Sequence, residues 1–192
     1  MIYVSSDYHW GHSNIIKLCD RPFANITEHD QTIINNHNEI VSDDDDVWNL
    51  GDVAFKCSSD YVVKCLKKLN GKHHILWGNH DKPLRQAYER GMLDGLIKSG
   101  KVELIGPSDS RMETSITVTI RQQKIVLSHC AKRTWYGAFR GAWHLFGHSH
   151  TNLKPFFRSM DIGVDSNNYY PYNFNEIDEI MEKVQTEFRE DK

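Results

Sequence analysis

No run of apolar residues in this sequence approaches the roughly 20 needed to cross a bilayer, so no membrane partner is expected. The opening stretch Met1-Ile2-Tyr3-Val4-Ser5-Ser6-Asp7 has no basic region ahead of an apolar one, so a secretory signal is not expected either. Cysteine is scarce. Cys19, Cys57, Cys65 and Cys130 show no C-x-x-C spacing, and a reduced, cytoplasmic setting is the simplest reading. A basic excess is also missing: 23 Lys and Arg against 26 Asp and Glu give a formal net charge of -3. That removes a global electrostatic footprint for nucleic acid and leaves a local one open. No repeat, low-complexity tract or Pro/Gly/Ser linker divides the 192 residues. One domain over 1–192, long enough for a sizeable core, is expected.

What the chain has in excess is histidine, 11 in all, several in short polar clusters directly after apolar runs. Ile2-Tyr3-Val4 leads into Asp7-Tyr8-His9, and Val47-Trp48-Asn49-Leu50 into Gly51-Asp52. Ile75-Leu76-Trp77 precedes Gly78-Asn79-His80-Asp81. Ile125-Val126-Leu127 precedes Ser128-His129. Trp143-His144-Leu145-Phe146 precedes Gly147-His148-Ser149-His150. Short β-rich runs bounded by Gly and polar residues read as buried strands. Helices are expected over Ser58 to Leu69, with Val62, Val63, Leu66 and Leu69 on one face, and over Glu28 to Val41. A third carries Ile177, Ile180, Met181, Val184 and Phe188 as one stripe behind an Asn173/Glu176 capping box. Ser115 to Ile120 alternates, and Arg121-Gln122-Gln123 reads as a hairpin turn. Alternating β and α early with hairpins later indicates an α/β sandwich with mixed sheets. His29 and His37 fall on a polar helix face and are expected in solvent.

In open α/β sheets, sites gather at the carboxyl ends of strands. The five clusters would then bring together Asp7, His9, Asp52, Asn79, His80, His129, His148 and His150. Imidazoles mixed with carboxylates suit first-row cations such as Mn, Fe, Co, Ni or Zn, whereas pure oxygen sets favour Mg or Ca. Even seven of these eight as ligands are too many for one tetrahedral ion and suit two ions that share a carboxylate.

The ordered set Asp7-Tyr8-His9, Gly51-Asp52, Gly78-Asn79-His80-Asp81, Ser128-His129 and Gly147-His148-Ser149-His150 resembles the calcineurin-like metallophosphoesterase superfamily. Ser6 to His12 and Cys19 to Phe23 resemble its small bacterial and bacteriophage members in particular. The resemblance implies a four-layer α-β-β-α sandwich with two mixed sheets. It implies one divalent ion on Asp7, His9, Asp52 and His150, and a second on Asp52, Asn79, His129 and His148, with Asp52 bridging. Manganese is the first choice; iron, nickel, zinc, cobalt or magnesium are alternatives. The implied reaction is phosphodiester or phosphomonoester hydrolysis by metal-activated hydroxide, with His80 as general acid and Asp81 or another carboxylate orienting it. The second motif lacks the G-D-x-x-D-R-G extension of the protein phosphatases, which disfavours a phosphoprotein substrate.

A small, nucleotide-like phosphate ester is therefore the expected substrate. A nuclease or end-processing enzyme on the same site is the alternative, and an inactive scaffold the next. Candidate substrate contacts are His12, Arg21, Arg133 and Arg140. Residues 131–141 interleave aromatic and basic side chains, which suits either stacking a base or packing on the core. Oligomeric state is left open.

Overall fold

The computed structural model of the protein describes residues 1–108 and 114–187. Among these residues the architecture is mixed α/β, with two mixed sheets of five and four strands. In the first, β1 (Ile2–Ser5), β2 (Asp46–Asn49), β3 (Lys72–Leu76) and β4 (Val102–Ile105) run parallel, and β9 (Tyr172–Asn173) lies antiparallel on β1. The second pairs β5 (Ser115–Ile120) with β6 (Gln123–Ser128) as a hairpin, then adds β7 (Trp143–Phe146) and β8 (Ser159–Asp161) in parallel. The hairpin turn is two residues, Arg121 and Gln122, both at positive φ as a tight right-twisted hairpin requires. Gln123 therefore belongs to β6, opposite Ile120, rather than to the turn.

Helices α1 (Ile15–Leu18), α2 (Ile26–Ile40), α3 (Ser59–Lys68), α4 (Lys82–Glu89), α5 (Asp94–Lys98) and α6 (Phe174–Glu187) complete the described chain. α3 starts where Ser58 accepts the Tyr61 N–H, and it buries Val62, Val63 and Leu66. α2 begins two residues earlier than its apolar spacing suggests. Asn25 accepts the Glu28 N–H there, and Glu28 reaches back to the Ala24 N–H. At α6, Glu176 accepts the Asn173 N–H at 2.8 Å, and Ile177 and Met181 are buried. Phe188 lies outside the described residues.

Two apolar clusters follow from these faces. One joins α2, α3 and α4 to the first sheet through Ile33, Val62, Leu66, Leu84 and Ile75. The other joins the sheets to each other. Val4, Leu50 and Leu76 meet Ile125, Leu127 and Leu145, with Phe174 and Met181 of α6. On the opposite face of the second sheet, Val126 is covered by Trp135, Ala138 and Ala142. That cover is irregular chain with a single 3-10 turn, not an α-helix.

His29 and His37 are buried, not solvated. The His37 and His73 rings stack at 5.2 Å, and both Nε2–H groups donate to the Asn70 carbonyl, at 3.0 and 2.9 Å. Burial holds His37 down at about 4 and His73 at about 3. In the unfolded chain both protonate near 6.5. Between those values the unfolded chain binds more protons, so stability is whole above pH 6.5 and falls as the pH drops through the window. His73→Gln keeps an N–H donor for Asn70. It should reduce the slope of unfolding free energy against pH, between pH 6 and 4.5, by up to about 1.4 kcal/mol per pH unit. Urea titrations read this directly, and an unchanged slope contradicts it.

Candidate metal centre

The loops after β1, β2 and β3 and those after β6 and β7 meet at one end of the two sheets. Asp7 N–H donates to the Gly51 carbonyl at 3.0 Å and His9 N–H to the Asp52 carbonyl at 2.9 Å, so the first two loops run side by side. Gly147 N–H donates to the His129 carbonyl at 2.8 Å, and Ser6 pairs with Gly163, which ties β1 to the chain just past β8. Asp7, His9, Asp52, His148 and His150 all have positive φ. Such a conformation costs a non-glycine residue on the order of 1–3 kcal/mol and persists where the surroundings enforce it. Two glycines permit the approach. A Cβ on Gly78 would collide with the Asp52 backbone and carboxylate, and one on Gly147 with Ser6 Oγ and Asp7 Oδ2.

The side chains gather as two groups, Asp7-His9-His150 and Asp52-His129-His148, each with one potential ligand atom per residue, all within 4.8 Å of one another. Asp52 Oδ2 connects them, 3.6 Å from His9 Nε2 and 3.3 Å from His129 Nε2. Asn79 Oδ1 joins the second group at 2.9 Å from His129 Nε2. The donors fit cations on three counts. Asp7 Oδ1 and both ring nitrogens of His9 are buried without a hydrogen-bond partner, which is costly unless something else satisfies them. His129 donates Nδ1–H to the Leu50 carbonyl at 2.9 Å, leaving Nε2 facing two oxygens. His148 stays exposed, so the second group is open on one side.

Burial opposes the charge on His129, but the Asp52 carboxylate outweighs it and lifts the imidazole to about 9. Burial likewise opposes His150, and Asp165 lifts it to about 10. Asp7, the most enclosed, is pushed up to about 6 by burial. Asp52 is also desolvated, yet His129 and the His80 N–H at 2.8 Å hold its carboxyl below the usual range.

A second tier fixes these side chains. His150 Nδ1–H donates to Asp165 Oδ2 at 2.7 Å. Asp165 also receives Arg21 Nε and Nη2, both at 2.7 Å. The remaining Arg21 donors reach the Asp7 and Tyr8 carbonyls and His29 Nε2, and His29 Nδ1–H donates to Asp30 at 2.6 Å. Arg21 is buried, with its fork engaged by Asp165. The structure thus directs it to a neighbour of the cluster rather than to a substrate phosphate, and the expectation from sequence is corrected. Asp81 is redirected too. Its carboxylate accepts the N–H groups of Asp52, Val53, Ala54 and Gly78, at 2.8 to 3.3 Å. It clamps the β2 loop instead of orienting the His80 ring.

His80 lies at the cluster, its ring 5.7 Å from His9 and 4.3 Å from Phe55. His12 lines the same wall, 5.5 Å from His9, with a buried, unpartnered Nδ1. Arg140 does not reach it. Gly141, its neighbour, accepts from Gln123 at 2.9 Å, at the opposite end of β6 from His129. Six residues of strand put that end roughly 20 Å away. Arg133 is exposed on the return segment between. Asp165 is missed by the sequence reading, because the stretch Asp161-Ile162-Gly163-Val164-Asp165 has no apolar run before its glycine as the other motifs do.

No protein-family model matches the chain. Over 190 residues it is 30% identical to the uncharacterized protein MJ1445 of Methanocaldococcus jannaschii, covering 95% of this chain and 92% of the other. The chain belongs to the MJ1445 family. The gene 66 protein of Mycobacterium phage L5 is 30% identical over 84 residues, 42% of this chain and 40% of its own. Among solved structures, AQ665 of Aquifex aeolicus, a protein of unknown function, shares the fold. Its TM-score is 0.68 at 21% identity, over 94% of this chain and 98% of that one. An archaeal phosphodiesterase gives a TM-score of 0.48 at 18% identity, over 84% and 82% of the two chains.

In this MJ1445-family protein, Asp165→Asn removes the carboxylate that holds His150. Outer partners of this kind typically contribute 10–100-fold in metal affinity. Titration with manganese as the probe should show about that loss of affinity, with the far-UV circular dichroism unchanged. Wild-type affinity in the variant contradicts the arrangement.

Proposed function

We propose that this chain is a phosphoester hydrolase working with two divalent cations, manganese first. One ion would be held by Asp7, His9, Asp52 and His150, the other by Asp52, Asn79, His129 and His148. A single observation carries the reading: one buried carboxylate oxygen, Asp52 Oδ2, faces an imidazole nitrogen of each group, at 3.6 and 3.3 Å. Bound divalent ions supply Lewis acidity toward a phosphoryl oxygen and lower the pKa of water.

The chain's own residues supply the rest. Leu50 and Asp165 fix the tautomers of His129 and His150, so each turns Nε2 inward. His80 is the proposed general acid. Its backbone is pinned to Asp52 Oδ1, while its ring lies among His9, His12 and Phe55. His12, 5.5 Å from His9 on the same wall, is the proposed contact to a bound ester. Residues 1–192 are taken as one unit acting on a small or nucleotide-like phosphate ester; the fourth, helical layer of the expected sandwich is replaced by the irregular cover of the second sheet. The complete donor set argues against an inactive scaffold, because the orphaned Asp7 Oδ1 and one of the two orphaned His9 ring nitrogens then have a use.

Hydrolysis of p-nitrophenyl phosphate and of its bis ester, with Mn, Ni, Zn and Mg in turn, tests this. The account expects turnover that chelation abolishes. His80→Ala should retain cations and slow an ester with a poor leaving group by about 10²–10⁴. Full activity of that variant removes the general-acid role. Cation binding without hydrolysis of either ester contradicts the enzyme.

A further inference from the structure

Charge is segregated along this chain. From Thr114 to Met160 there is no Asp or Glu, although seven Lys and Arg fall in that stretch; all 26 acidic residues lie outside it. The stretch contains β5, β6, β7 and the start of β8, with the irregular cover of the second sheet. Arg121 is occupied by Asn175 and Asp178 of α6. Three other cations converge on the cover. Lys124 Nζ lies 5.3 Å from the Tyr136 ring centre and Arg140 Cζ 5.7 Å from it. Arg158 Nη1 sits over Gly141, 2.6 Å from where a Cβ would stand.

The same surface displays aromatic rings. Phe139 is 90% exposed and Tyr136 63%. The segment is nonetheless anchored. Trp135 is buried on Val126, and its indole N–H donates to the Ala142 carbonyl at 2.8 Å. A cleft of about 370 Å³ opens beside the rings, lined in part by Gln122, Lys124, Tyr136 and Arg140. That volume falls within the range of small-ligand pockets. The surface also has a route to the cation cluster. Residues 151–156, exposed throughout, leave His150 and lead to Phe157, whose ring is 6.1 Å from Phe139. Cluster and cleft thus lie roughly 20 Å apart along β6, too far for a mononucleotide to touch both.

We propose that this face binds single-stranded nucleic acid. The backbone phosphates would follow Lys124, Arg140 and Arg158, and unpaired bases would stack on Tyr136 and Phe139, as aromatic platforms between cations allow. A duplex hides its base faces and cannot use those rings. The strand would run toward the Asp52-His129-His148 end; hydrolysis there rests on the reading above, whereas the binding does not.

Fluorescence anisotropy of a labelled 15-nucleotide oligothymidylate, with the full chain in EDTA, tests the binding alone. Affinity should fall as salt rises, and a 15-base-pair duplex should bind at least tenfold more weakly. Phe139→Ala should weaken binding about tenfold. The exposed pair Lys124→Glu and Arg140→Glu should lower the salt slope by about 0.7 per cation removed. Wild-type affinity in both variants overturns the proposal. So does a chain that ignores the oligonucleotide, or one that ignores it and binds phosphatidylserine vesicles. Failure to hydrolyse either p-nitrophenyl ester beside intact, salt-dependent oligonucleotide binding sinks the hydrolase reading and supports this one.

Discussion

Asp52 is the constraint on which the rest of the site depends. Its carboxylate is buried between two imidazole groups, and an isolated buried carboxylate is expensive. The chain offsets that cost with the His129 ring on one oxygen and the His80 N–H on the other. The residue sits at positive φ, held there by Asp81, which accepts the N–H groups of Asp52 and of the two residues after it. Gly78 completes the arrangement, since only a residue without a Cβ lets the β3 loop lie against this carboxylate.

From that centre the polar contacts run outward into the scaffold. His150 leans on Asp165, Asp165 on Arg21, Arg21 on His29, and His29 on Asp30 within α2. Asp30 in turn accepts from the Gly11 N–H and the Tyr61 hydroxyl of α3. A buried ion pair such as Arg21–Asp165 is weak evidence for stability on its own. Here its geometric effect is plain: it couples the position of a candidate ligand to two helices packed on the first sheet. The second sheet contributes differently. Its inner face closes the core and its strand ends supply His129 and His148, while its outer face carries cations and open aromatic rings.

Much of this was legible in the sequence for a simple reason. Asp7, Asp52, Asn79, His129 and His148 each follow an apolar run, and parallel strands deliver such residues to one end. The parallel pairings of β1, β2 and β3 and of β6 and β7 agree with that reading of the strands. Arg21 was misread because its partner lies 144 residues away, beyond any local pattern. His37 reads from the sequence as a solvated position on a polar helix face, because only tertiary packing stacks it on His73 over Asn70. Arg140 lies between two motifs in sequence, but the return from the end of β6 to the start of β7 carries it to the far end of the sheet.

Crystals soaked in manganese and measured by anomalous scattering test the shared carboxylate most directly. The account predicts two peaks about 3.5–4 Å apart, with one Asp52 oxygen between them. A single peak, or two peaks that leave Asp52 out of contact, would contradict it.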